Sequence, residues 1–214
     1  IVLMTATMDQ SIQKSLGKRS NNIALSDYTP YSVKEEKENV KRMRDIPQTV
    51  SRYLFKILED MRNGLIEPGH ILIFIAGNSD CQAILKEIRE KEEKLNSDKN
   101  RRKIHAIHID FDESSKVESI NNDIRKEVFN KKDLFIFPIQ LAGYVTHVQK
   151  TVAQSKLPPD LNNVVKIIIS TNIVESSITI PDLAAVIDSG LYNRATFDQQ
   201  TEVSIITKES ISKK

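Results

Sequence analysis

Ser170, Thr171 and Asn172 stand directly after an apolar run, Val-Val-Lys-Ile-Ile-Ile, at residues 164–169. Short hydroxyl and amide side chains, together with backbone N–H groups, can hold phosphate oxygens at such a point without reading bases. Glu175 follows Asn172 by three residues, the spacing of an N-terminal capping pair, so a structural role competes with phosphate binding there. Asp188, Ser189 and Gly190 follow a second apolar run, residues 183–187. An acid in that position would coordinate water or metal near a nucleotide, or satisfy neighbouring backbone donors. Thr5 and Thr7 follow a short apolar run at residues 1–4 and would cap the segment behind it.

Other chemistries lack their residues. No Gly-rich loop ending in Lys-Ser/Thr occurs, and no Asp-Glu pair directly follows a strand, so neither Walker element is present. No Gly-x-Ser-x-Gly elbow supports a serine hydrolase. His105 and His108 are three apart without a nearby cysteine, while His70 and His147 are isolated; structural histidines explain all four better than a metal does. Cys81 lies beside a helix start, where its thiol pKa would be lowered, yet it has no histidine partner and reads as structural.

The elements that must position these groups follow from hydrophobic period. Continuous apolar runs at 164–169 and 183–187 suit parallel strands buried on both faces, with polar residues at their carboxyl ends where open α/β sheets bind ligands. Residues 48–61 carry Val50, Tyr53, Leu54, Ile57, Leu58 and Met61 on one helical face, ended by Asn63-Gly64. A strand at 71–75 runs into Ala76-Gly77-Asn78, and a helix starts near Ser79 or Asp80 with Ile84, Leu85, Ile88 and Leu95 inward. Strands are predicted at 104–107 and at 134–137, the latter ending at Pro138. Helices are predicted at 116–129 and 144–153. Residues 194–197 and 202–206 read as an antiparallel hairpin, and 207–214 as a polar tail. Near the start, 1–4 and 23–25 are strand candidates, with a weak helix capped by Asp9 between them. Residues 26–46 form a charged, proline-broken linker.

Composition bounds the rest. A chain of 214 residues can bury a substantial core, and its apolar runs are too short to cross a bilayer. A net charge of +2 does not by itself identify a nucleic-acid binder. The single cysteine excludes an intramolecular disulfide and fits a reducing, intracellular compartment. A chain opening at Ile1, within an apolar run, reads as a piece of a longer one.

Several of these stretches resemble a known family. Residues 170–180, Ser-Thr-Asn-Ile-Val-Glu-Ser-Ser-Ile-Thr-Ile, resemble motif V of the DEAH-box subgroup of superfamily-two helicases, and 185–190, Ala-Val-Ile-Asp-Ser-Gly, resemble its continuation. Residues 3–9, Leu-Met-Thr-Ala-Thr-Met-Asp, are similar to motif III, and 71–77, Ile-Leu-Ile-Phe-Ile-Ala-Gly, to motif IV. The order is the family's order. Phe137-Pro138-Ile139-Gln140 resembles a segment that normally carries Pro-Leu-His, with Gln140 in the histidine's place.

The resemblance implies a RecA-like, P-loop-NTPase-type α/β fold: a parallel sheet flanked by helices, with an antiparallel hairpin near the C-terminus. Residues 1–46 would be the end of a first RecA-like domain and a linker, and 47–214 the second, stopping before the family's arginine-rich motif VI. It further implies an ATP-dependent RNA helicase using ATP and Mg2+, inactive as this piece alone because no catalytic set is complete in it. Thr5, Thr7, Ser177, Thr179 and Asp188 would couple to ATP. Gly77, Asn78, Thr171 and Asn172 would contact single-stranded RNA, and the hairpin with Arg194 and Phe197 would act as a wedge or translocation element. Expected partners are RNA, the missing half of the first RecA-like domain and a protein cofactor; no membrane and no resident metal are expected. Two alternatives stay open: a catalytically inert helicase-like interaction module using the charged section 86–133, and a DNA-translocating relative.

Overall fold

Residues 33–96, 102–171, 179–198 and 203–211 are described by a computed structural model. The chain divides into two compact units, Ile1–Asn39 and Val40–Lys214. Of the first, residues 33–39 are described and contain neither helix nor strand. Thr5, Thr7, Asn172 and Ser177 lie outside the described residues, as do the strand and helix expectations for residues 1–25.

The second unit is built on parallel strands with helices on both faces. Helix α1 (Ile46–Arg62) starts with proline in its first turn, where a missing N–H costs nothing, and ends before Gly64, whose φ of 72° suits a glycine terminator. Strand β1 (His70–Ile75) leads through Gly77 into helix α2 (Asn78–Leu95). Strand β2 (Ile104–Ala106), helix α3 (Val117–Glu127), strand β3 (Leu134–Leu141), helix α4 (His147–Gln154), strand β4 (Val164–Thr171) and strand β5 (Leu183–Asp188) follow. The sheet order is β2-β3-β4-β1-β5, every pairing parallel. Strands β6 (Leu191–Asp198) and β7 (Val203–Ser210) form a separate antiparallel hairpin.

Period-two alternation divides the core in two. On one face, Val165, Ile167 and Ile169 of β4 pack with Ile71, Ile73 and Ile75 of β1 beneath Leu54 and Leu58 of α1 and Ile84 and Ile88 of α2. On the other, Ile168 joins Phe135, Phe137 and Ile139 of β3 beneath Ile120 and Ile124 of α3 and Val148 and Val152 of α4. Each fully buried Leu or Ile contributes ~1.5–3 kcal/mol over its exposed state. No helix among the described residues is long and apolar enough to cross a membrane.

Four expectations are corrected. Strand β3 does not stop at Pro138 but runs through it to Leu141. The Ile136 carbonyl accepts from Ile107 on the β2 side, so Pro138, two residues on, faces that same side after β2 has ended. Its missing N–H therefore breaks no ladder bond. Strand β5 is an edge strand rather than one buried on both faces: Leu183 and Val186 are exposed and only Ile187 is buried. Residues 207–210 are not tail but the last part of β7, paired with 191–194. Helix α4 starts at His147, because Thr146 caps it in a reciprocal pair with Gln149.

Lys166 also departs from its reading as a boundary of the apolar run, being fully buried within β4. Alternation turns it toward α4, where Nζ donates to the carbonyls of Val152 (3.0 Å), Ala153 (3.0 Å) and Ser155 (2.5 Å). A cation at the helix carboxyl terminus satisfies otherwise orphaned acceptors and complements the dipole. Burial nevertheless pulls its pKa down to about 8.

Candidate nucleic-acid interface

The carboxyl ends of β1, β3, β4 and β5 emerge along one edge of the sheet. Register fixes the neighbours: Ile75 of β1 pairs with Thr171 of β4, and Leu141 of β3 pairs with Ser170. Gly77 and Asn78 therefore leave β1 beside Thr171, with the 140–144 loop on the far side of β4. The connection after β1 crosses one face of the sheet through α2, and the connection after β3 crosses the other through α4. Connections diverging to opposite faces open a crevice at the strand ends, the usual ligand position in such sheets.

Within the crevice, Ser170 is buried, its hydroxyl donating to the Thr171 carbonyl at 3.1 Å. Thr171 is half-buried and Asn78 exposed. Asn78 Oδ1 accepts from Gln140 Nε2 at 2.7 Å, and the same nitrogen donates to the Ala142 carbonyl at 2.7 Å. Gln140 Oε1 accepts from Gln82 Nε2 at 3.0 Å. Gly143, at φ 79°, carries the loop past Asn78; a Cβ there would lie 3.5 Å from Asn78 Cγ.

The hairpin is seated at the same edge. Asn193 and Lys208 face each other across β6 and β7. Lys208 Nζ reaches both Asp80 carboxylate oxygens, at 2.7 and 2.9 Å, in the first turn of α2. Asn193 lies over Gly77, where a Cβ would fall 2.6 Å from its Nδ2 and push the amide aside. Farther out on that face, Phe197 and Ile206 are exposed. Arg194 stands on the opposite face, 3.7 Å from Glu209.

Asp188 is exposed at the end of β5 and accepts the Gly190 N–H at 2.8 Å, the structural use weighed from sequence. Thr179 is exposed. The fold thus gathers Gly77, Asn78 and Thr171 and sets the base of the hairpin beside Gly77. Among the described residues no group of three His, Cys, Asp or Glu side chains is placed to hold a metal ion. His105 stacks on Phe135 and sits 3.3 Å from Asp133. The Cys81 thiol is not lowered as a helix start would have it: burial, and then the neighbouring Asp80 charge, raise its pKa to about 12. Gln82 and Lys208 carried no sequence signal, since each looks like an ordinary surface residue. Lys166 did carry one, a lysine inside an apolar run.

Fold and crevice together define a parallel α/β domain that presents hydroxyl, amide and backbone groups at its strand ends. No family model matches the chain. It is 36% identical over 97 residues to the rat ATP-dependent DNA/RNA helicase DHX36, covering 45% of this chain and 9% of that protein. It is 29% identical over 162 residues to the ATP-dependent RNA helicase HrpA of Borreliella burgdorferi, covering 75% of this chain and 15% of that protein. The human putative ATP-dependent RNA helicase DHX57 is 30% identical over 131 residues, 61% of this chain and 7% of that protein. The crystal structure of the E. coli DExH-box NTPase HrpB aligns with a TM-score of 0.47 and 17% identity, covering 78% of this chain and 14% of that one. All three of these curated relatives are named as ATP-dependent helicases. It spans from 7% to 15% of the length of these three curated relatives.

Proposed function

We propose that the chain is the second RecA-like domain of an ATP-dependent RNA helicase and forms part of the track that grips single-stranded RNA. The observation that carries this reading is the meeting of Gly77, Asn78 and Thr171 at one sheet edge, with the hairpin clasped beside them through Lys208 and Asp80. The names of the relatives supply the activity: ATP-dependent helicases acting on RNA, and in one case on DNA or RNA. Thr171 and Asn172 would hold phosphates from β4, and Asn78 and the backbone at Gly77 from β1. Phe197 of the hairpin, on the face that carries Asn193, would meet the strand as it leaves the crevice, and Arg194 would reach it only around the hairpin from the opposite face.

ATP and Mg2+ do not fit the described residues. Asp188 Oδ1 accepts a backbone N–H, among the described residues no group of three His, Cys, Asp or Glu side chains converges, and the sequence has no Walker A loop. Binding of the triphosphate therefore falls mainly to the first RecA-like domain. This chain would contribute Thr5, Thr7, Ser177 and Thr179 to communication between nucleotide and track. Its own work is to bind and orient phosphodiester groups.

The test is a filter-binding titration of single-stranded RNA against the full-length protein at fixed salt. Thr171→Ala should weaken binding about tenfold, the value of one hydrogen bond to a charged acceptor. Unchanged affinity would remove Thr171 from the track. Competition with a deoxyribose strand of the same sequence separates RNA from DNA preference, because only RNA carries the 2′-hydroxyl.

A further inference from the structure

We infer that Gln140 is a positioning residue, turning the side-chain amide of Asn78 so that its NH2 group faces a phosphodiester oxygen. This rests on the reading of Asn78 as a phosphate contact. The Ala142 carbonyl can only accept, so the atom of Gln140 lying 2.7 Å from it is the amide nitrogen. The same nitrogen lies 2.7 Å from Asn78, and its second hydrogen must meet an acceptor there, which is Oδ1. With its oxygen held inward, Asn78 turns its nitrogen away from Gln140. Gln82 Nε2 donates to Gln140 Oε1 at 3.0 Å, completing the partners of that amide. One backbone carbonyl thus sets the orientation of two amides in series.

The orientation matters because a phosphate oxygen only accepts. An exposed asparagine free to rotate would present oxygen as readily as nitrogen, and the wrong face repels the ligand. Holding the donor outward before binding removes that cost from association. A glutamine suits the position because its single NH2 group serves both acceptors at once, Ala142 O and Asn78 Oδ1.

Binding of a fluorescently labelled oligouridylate to the full-length protein tests this through a double-mutant cycle. Asn78→Ala should weaken binding about tenfold. Gln140→Glu should weaken it comparably, since a carboxylate accepts from Asn78 and reverses its amide. Gln140→Met, which removes the donor without adding charge, should cost about threefold. Added to Asn78→Ala, the uncharged Gln140→Met change should not weaken binding further, and its melting temperature should stay at the parental value. If both Gln140 variants bind like the parent while Asn78→Ala is weakened, the positioning role is wrong and the phosphate contact stands. A full Gln140→Met loss persisting beside Asn78→Ala, or a lowered melting temperature accounting for it, would also overturn the role. If Asn78→Ala binds like the parent, the phosphate reading of Asn78 fails and the positioning role with it.

Discussion

Acidification should destabilise the protein through His70 before most carboxylates titrate. His70 opens β1 and is 5% exposed, and its Nδ1 accepts the Lys166 backbone N–H at 3.3 Å. Burial, then the Lys166 charge, lower its pKa from 6.5 to about 4, with Asp182 opposing. The ring is therefore neutral in the folded protein while the unfolded chain takes up a proton below about pH 6.5. More protons bound by the unfolded state means stability falls as pH falls, beginning near 6.5 and complete near 4. A shift of about 2.5 units corresponds to about 3 kcal/mol over that window, with about 2 kcal/mol lost between pH 7 and pH 5. Urea denaturation at pH 7, 6 and 5 measures this in the parent and in His70→Gln, which keeps a side-chain acceptor but does not titrate. The parent should lose about 2 kcal/mol more than the variant between pH 7 and 5. Equal pH dependence in the two would show that His70 does not stay neutral in the fold.

Two further outcomes concern the surroundings of the crevice. Cys81, fully buried with its thiol pKa raised to about 12, should resist a thiol-specific reagent at pH 8 in the folded protein and react once urea unfolds it; rapid native labelling would contradict that placement. Lys208→Met should release the hairpin from α2, because a two-stranded ribbon is marginal without support. Loss of this partly buried pair should lower the opening free energy of β6 and β7 by about 2 kcal/mol in hydrogen exchange, and unchanged protection would mean the clasp does not hold the hairpin.

Local pattern carried much of the fold. The helical face of Val50, Leu54, Leu58 and Met61 is the buried face of α1, and the runs at 71–75 and 164–169 became neighbouring central strands. Topology supplied what composition could not. The run at 183–187 looks as buried as the others, yet its place outside β1 leaves Leu183 and Val186 in solvent. Pro138 signals a strand end by local chemistry, and only the short length of β2 makes it harmless. In the crevice, Thr171 stood out because it follows a buried strand, Gly77 and Asn78 entered through the resemblance to motif IV, and the strand register sets them side by side. The Gln140–Asn78 bond joins residues 62 apart and the Lys208–Asp80 bond residues 128 apart, and no periodicity reports such pairs.

The most direct test of the RNA track is photocrosslinking with a 4-thiouridine-substituted single strand, read by mass spectrometry of the linked peptides. Adducts are expected along the carboxyl edge, within residues 76–79, 140–144 and 170–172 and on the hairpin near Phe197. Adducts confined to the opposite edge of the sheet, near His70 and Asn163, or to the outer face of α3, would contradict a track at the strand ends.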